Sequence, residues 1–126
     1  MSDQLERMQP CPSSPNCVSS KADLGPHFIE PLESAADVAG LISAIKASLE
    51  KDSAFTIVEA EGTYLRAEAR TRILRFVDDV EFQVRQGSNR VDMRSGSRVG
   101  YSDLGKNRRR LESIRKSLIK QGSASS

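Results

Sequence analysis

Two apolar spacings take turns along this chain of 126 residues and divide it into helices and hairpins. Val38, Leu41, Ile42, Ile45 and Leu49 recur at the i, i+3, i+4 spacing of one helix face. The pattern predicts a helix over 35–51, with Ser34 as its N-cap and Asp37 three residues on in the capping-box position. From Phe55 the period falls to two, with Phe55 and Ile57 on one side and Thr56 and Val58 on the other. Gly62 then permits a hairpin turn, and 64–70 returns as a partner strand with Leu65, Ala67 and Ala69 facing in. Ile73, Leu74, Phe76 and Val77 are too clustered to assign by period. Residues 80–85 alternate again and turn at Gly87-Ser88-Asn89 into 90–94, so that Val80, Phe82 and Val84 share a layer with Val91 and Met93.

A closing helix is expected over 103–120, with Leu104, Leu111, Ile114 and Leu118 as its buried stripe and Asn107 near it. Arg109 points to solvent, whereas Arg108 and Arg110 flank the stripe on opposite sides, each about 80° from its centre. A short strand over 27–32, ended by Pro31, completes the set. The fold class expected is α+β. It is a single two-layer domain with an antiparallel sheet of about four to five strands and two helices on one face. Residues 1–26, with prolines at 10, 12, 15 and 26, read as an irregular lead-in, 27–120 as the globular core and 121–126 as a disordered tail.

Charge adds an asymmetry. Net charge is +2, yet residues 1–84 carry −6 and residues 85–126 carry +8. Such a division marks a surface for anions or simply pairs the halves with each other. The polar N-terminus and the lack of an apolar run near membrane-spanning length point to a soluble cytoplasmic protein with no transmembrane segment. Cys11 and Cys17 allow a closed loop, metal binding with His27, or free thiols. Three Cys and His side chains fall short of a four-ligand zinc site, and a reducing compartment favours thiols, so neither metal nor cofactor is expected and the cysteines are read as reduced.

The densest chemistry lies in 94–110, which holds five arginines, three glycines and three serines. Within it, residues 100–107 come one position short of the phosphate-cradling pattern G-x-x-x-x-G-K-[ST], because Asn107 lacks the hydroxyl that would ligate magnesium. A weaker property survives, since a helix N-terminus attracts anions and Arg94, Arg98, Arg108 and Arg110 add bidentate donors. The competing reading is that these arginines satisfy Asp78, Asp79, Glu81 and Asp103 internally. Asp79 and Glu81 share one face of a strand, a spacing that suits acid/base work, with Asp78, Asp79, Ser95 and Ser97 as the weak catalytic candidates. Nucleic acid is not expected, because every aromatic except Tyr101 is wanted by the core.

Three blocks, 10–20 (Pro10 to Ser20), 76–82 (Phe76 to Phe82) and 94–110 (Arg94 to Arg110), together resemble the uncharacterised family called domain of unknown function 1499. The resemblance implies a joint site in which Asp78, Asp79, Arg94, Ser95, Ser97, Arg98, Ser102, Asp103, Asn107 and Arg110 converge. It also implies a small residue at Gly96, an incidental Lys106, and association with an envelope or plastid if the native N-terminus differs. The function expected is a non-enzymatic binding module for an anionic small molecule or an acidic protein segment. Its ligand-binding residues are Arg94, Ser95, Ser97, Arg98, Ser102, Asn107, Arg108 and Arg110. The alternatives are a hydrolase or metal-assisted enzyme using Asp78 and Asp79 with Ser97, and a protein-interaction scaffold.

Overall fold

The computed structural model describes residues 7–23, 25–71, 76–100 and 103–125. In chain order the elements are β1 (Cys17–Ser19), β2 (Leu32–Ser34), α1 (Val38–Glu50), β3 (Phe55–Glu61), β4 (Tyr64–Arg70), β5 (Val77–Val84), β6 (Arg90–Ser97), α2 (Lys106–Gln121) and β7 (Ala124–Ser125). One antiparallel sheet runs β3-β4-β5-β6-β2-β7, and β1 also pairs with β6. The α+β class holds, but with seven strands rather than four to five. The extra strands are β1, β2 and β7, of two or three residues each, too short for alternation to show. They form because β6 offers its far edge to two partners, with Arg94 to Gly96 facing β1 and Arg90 and Val91 facing β2. The lead-in and the tail therefore each contribute a strand, and the strand expected over 27–32 falls instead at Leu32–Ser34.

The two long hairpins follow the alternation. Leu65, Ala67, Ala69, Val80, Phe82, Val91 and Met93 are buried on one face of the sheet, where Leu41, Ile42, Ile45 and Leu49 of α1 and Leu111, Ile114 and Leu118 of α2 join them in one core. Each of the valine, leucine, isoleucine, phenylalanine and methionine side chains among them contributes roughly 1.5–3 kcal/mol by leaving water. The first helix starts three residues later than expected. Asp37 has extended backbone and is its N-cap, accepting from the Gly40 N–H at 2.7 Å, whereas Ser34 is consumed by β2. The second also starts three residues late, and Leu104 consequently leaves the buried stripe and stands 85% exposed. At its far end Gly122 takes the left-handed conformation, and the N–H groups of Gly122 and Ser123 close onto the carbonyls of Ile119 and Leu118.

Cys11 and Cys17 form a disulfide, contrary to the expectation of reduced thiols. The intervening prolines double the chain back until the two Cα atoms lie 5.7 Å apart, inside bridging range. Gly96 of β6 lies directly beneath it, and a Cβ there would come 3.1 Å from the Cys17 Sγ, which accounts for a small residue at that position. The His27 Nδ1 lies 3.0 Å from the Cys17 carbonyl, to which the protonated ring nitrogen donates. Closing so short a loop should contribute about 2 kcal/mol. Denaturant melts with and without a thiol reductant are expected to differ by that amount, and coincident curves would mean that pairing with β6 alone holds the lead-in.

Candidate functional site

Strand parity sorts the candidate residues onto two faces. On β5, Asp78 shares the helix-covered face with Val80 and Phe82, while Asp79 and Glu81 face the other way. On β6, Ser95 and Ser97 lie on the helix side with Val91 and Met93 and Arg94 lies on the outer face, where Arg98, one residue past the strand, also reaches Asp79. Asp78 and Asp79 therefore cannot serve one site, and the acid/base arrangement of both with Ser97 is not formed.

The outer face is a lattice of ion pairs. Arg98 grips Asp79 through Nε at 2.9 Å and Nη2 at 2.8 Å, and its Nη2 also reaches Glu68 on β4 at 2.7 Å. Arg66 links Asp79 to Glu59. Hydrogen bonding to Arg98 holds the Asp79 carboxyl below the usual range, outweighing the opposing effect of its burial. Arg94 Nη1 is 3.3 Å from the mostly buried Glu81, whose other oxygen accepts from the Tyr64 hydroxyl at 2.5 Å. Burial, reinforced by that hydrogen bond to Glu81, raises the Tyr64 hydroxyl's pKa far above its ordinary value. From the lead-in, Arg7 stacks over the Tyr64 ring at 4.3 Å and pairs with Glu59 and Glu61. Arg94 and Arg98 thus stitch strands together.

The helix-covered face holds a different cluster, buried at the start of α2. Asp78 is fully buried, with Arg110 Nη2 2.8 Å and Lys106 Nζ 3.1 Å from its Oδ2. Arg110 approaches off the hydrogen-bond direction, so that oxygen is balanced mainly by charge. Arg110 Nη1 donates to Asn107 Oδ1 at 2.7 Å and to Ser95 Oγ at 3.1 Å. Asn107, also fully buried, accepts from the Ser95 hydroxyl at 2.6 Å. Its amide protons serve three acceptors, the Asn16 carbonyl, Ser97 Oγ and Asp103 Oδ2.

The anion position at the α2 N-terminus is already filled from within. Asp103 accepts from the backbone N–H groups of Gly105 at 2.8 Å and Asn107 at 3.2 Å. Burial opposes its ionisation, but these bonds and the Asn107 side chain outweigh it and keep the carboxyl below the usual range. Arg108 turns to the far side and donates to the Pro26 carbonyl at 2.9 Å, and Arg109 donates to the Leu104 carbonyl. Ser102 lies outside the described residues. The expected joint site therefore reduces to Asp78, Ser95, Ser97, Asp103, Asn107 and Arg110, with Asp79, Arg94 and Arg98 elsewhere, and Arg108 of the expected ligand-binding set also lies apart from it.

The same geometry brings the three blocks of the sequence together. Asn16 donates to the Gly100 carbonyl and accepts from Asn107, Cys17 pairs with Gly96, and Asp78 faces Arg110. A family model described as "Protein of unknown function (DUF1499)" matches residues 7–118. The chain belongs to this family. No curated protein and no solved structure matches it.

Two residues of the DUF1499 cluster, Asn16 and Lys106, carry no sign of their role in the sequence. Asn16 acts mainly through its backbone carbonyl, and the Lys106 ammonium matters only because Asp78 points at it. Beside the cluster lies a groove of about 360 Å³ between the end of α1 and the middle of α2. Leu49, Phe55 and Ile114 form its apolar wall, Ser113, Ser117 and Asp52 its polar rim, and Arg110 stands where it meets the buried cluster. Only Arg110 of this group was singled out by sequence; the rest read as ordinary core and surface positions. Among the described residues, no helix is long and apolar enough to cross a membrane, and no three His, Cys, Asp or Glu side chains gather as a metal site.

Proposed function

We propose that this DUF1499 domain is a non-enzymatic binding module that takes a small organic anion in the groove between α1 and α2, with Arg110 as its anion-facing residue. The observation that carries this reading is the position of Arg110, which lines the groove while its inward contacts go to Asp78, Ser95 and Asn107. A guanidinium has five N–H donors in a rigid fork, so three inward contacts orient it and leave donors for a carboxylate or phosphate. Leu49, Phe55 and Ile114 supply the surface for an apolar body. A ligand of that kind has a charged head and a short hydrocarbon or ring portion. Arg94, Arg98 and Arg108 are held by the domain's own groups and play no part in contacting it.

Thermal shift with a panel of carboxylates and phosphate monoesters tests the reading. A cognate anion at 100 times its dissociation constant should stabilise the fold by about 2.7 kcal/mol. Ser113→Tyr, which fills the groove from an exposed helix position, is expected to abolish that gain while leaving the unliganded melting point near wild type. If no anion in the panel stabilises beyond a general salt effect, the reading fails.

A further inference from the structure

We propose that the Cys11–Cys17 disulfide is a site of thiol–disulfide exchange, at which a dithiol attacks Cys11 and Cys17, beside Arg94, is the leaving sulfur. The two cysteines differ in their surroundings. Cys17 is 2% exposed in β1, whereas Cys11 is half-buried and the turn after it carries Pro12, Ser13 and Pro15 in solvent. Cys11 also lines a cleft of about 270 Å³, together with Pro10, Ser19, Lys21 and His27. An incoming sulfur therefore reaches Cys11 while the fold shields Cys17, and the sulfur that is reached decides which one leaves.

The groups at hand suit both halves of the reaction. His27 commits its Nδ1 to the Cys17 carbonyl, so in the neutral ring Nε2 holds the lone pair, on a side chain that lines the cleft. Arg94 serves the other half. A Cβ on Gly96 would lie 3.1 Å from the Cys17 Sγ and 3.6 Å from Arg94 Nη1, so sulfur and guanidinium flank one point on the outer face of the sheet. Arg94 Nη1 pairs with Glu81 and Nη2 is 3.5 Å from the carbonyl of Pro10, the residue before Cys11. Its Nε is buried and has no acceptor among the described residues. That donor is a cost in the disulfide form and is there for a thiolate to use. A bridge that only fastened the lead-in would need neither a cleft over one sulfur nor a cation near the other.

The step balances with a dithiol as reductant. One thiol gives its proton to His27 and attacks the Cys11 Sγ; the Cys11–Cys17 bond breaks, and its electron pair stays on Cys17 as a thiolate near Arg94. The second thiol then attacks the partner's own sulfur in the mixed disulfide and expels Cys11. The partner leaves as a disulfide, the domain holds two thiols, and the two protons given up by the partner end on Cys11 and Cys17. Because Cys17 and Gly96 lie on the outer face of the sheet, this chemistry is separate from the groove between the helices.

The test uses the intact oxidised chain. After brief exposure to glutathione and an acid quench, peptide mapping is expected to find the mixed disulfide on Cys11 and a free thiol at Cys17; an adduct on Cys17 would overturn the proposal. Dithiothreitol should reduce the bridge from the folded state, at a rate that stays flat in urea below the unfolding transition. A rate that climbs with global unfolding would mean that the fold protects the bridge, and would overturn it too. Repeating the reaction with reduced thioredoxin at equal thiol concentration separates the sources: a faster reaction supports exchange with a protein dithiol, a slower one exchange with a small dithiol. Arg94→Met combined with Glu81→Gln removes both charges of one pair, so neither is left buried alone. It should slow reduction about tenfold, whereas Arg94→Lys, which keeps the cation, should retain most of the rate. Equal rates in wild type and both variants would remove Arg94 from the reaction and overturn the proposal as stated.

Discussion

Replacing Asp78 by alanine destabilises the fold by about 3–5 kcal/mol, the cost of leaving a buried cation without its counter-charge. Asp78 is wholly buried with Arg110 and Lys106 on one carboxylate oxygen, and Arg110 is itself mostly shielded. The loss should appear in urea melts as a lower midpoint with little change in slope. A double-mutant cycle identifies the cause. Asp78→Leu combined with Arg110→Met replaces the buried pair by apolar groups of similar size, leaves the partly exposed Lys106 able to turn to solvent, and should recover most of the loss, because such replacements are often close to neutral. If the single and double variants are equally unstable, charge balance is not what Asp78 provides.

The second large effect falls on Asn107. Truncation to alanine removes a side chain bonded to Ser95, Ser97, Asp103, Arg110 and the Asn16 carbonyl, in a site with no exposure. Several buried polar groups then lose partners at once, each worth about 1–3 kcal/mol when unsatisfied. Because some of them retain other contacts, a total of about 3 kcal/mol is expected. Hydrogen exchange gives a readout specific to this position: the first turn of α2 and β1 should lose protection together, since Asn107 lies in the one and holds the Asn16 carbonyl at the start of the other. Loss confined to the helix would show that the Asn16 contact carries little.

Much of this is legible in the sequence. Alternation in 80–94 put Asp79 with Glu81, and the same parity places Asp78 with Val80 beneath the helices, so the separation of the two aspartates was already implied. What parity does not reveal is which carboxylate an arginine chooses, because its side chain spans several positions. Arg98, one residue past β6, reaches across β5 to Glu68 on β4. Periodicity also misplaced Leu104, whose angle fits the α2 stripe but which precedes the helix, where an angle on the helix has no meaning. The disulfide escaped because the expectation of a reducing compartment sets aside the closed loop that the spacing allows, and says nothing of how the chain brings the two Cα atoms to 5.7 Å. The groove escaped because its wall is built from residues far apart in sequence whose types are those of any core.

The pairing of β1 with the far end of β6 also sets an order of assembly on the ribosome. The first strand to be synthesised has its partner at Arg94 to Gly96, more than seventy residues later. It must wait unpaired while β3, β4 and β5, joined by local hairpins, come together. The Cys11–Cys17 bond spans only six positions and needs none of that, so it can close early and keep the waiting segment compact. Strand β7 pairs with β2 only when the last residues emerge. The sheet is therefore completed from its β3 edge toward β7, and a nascent chain stalled before residue 94 would hold β3, β4 and β5 but neither of the clusters that contain Arg94 or Asn107.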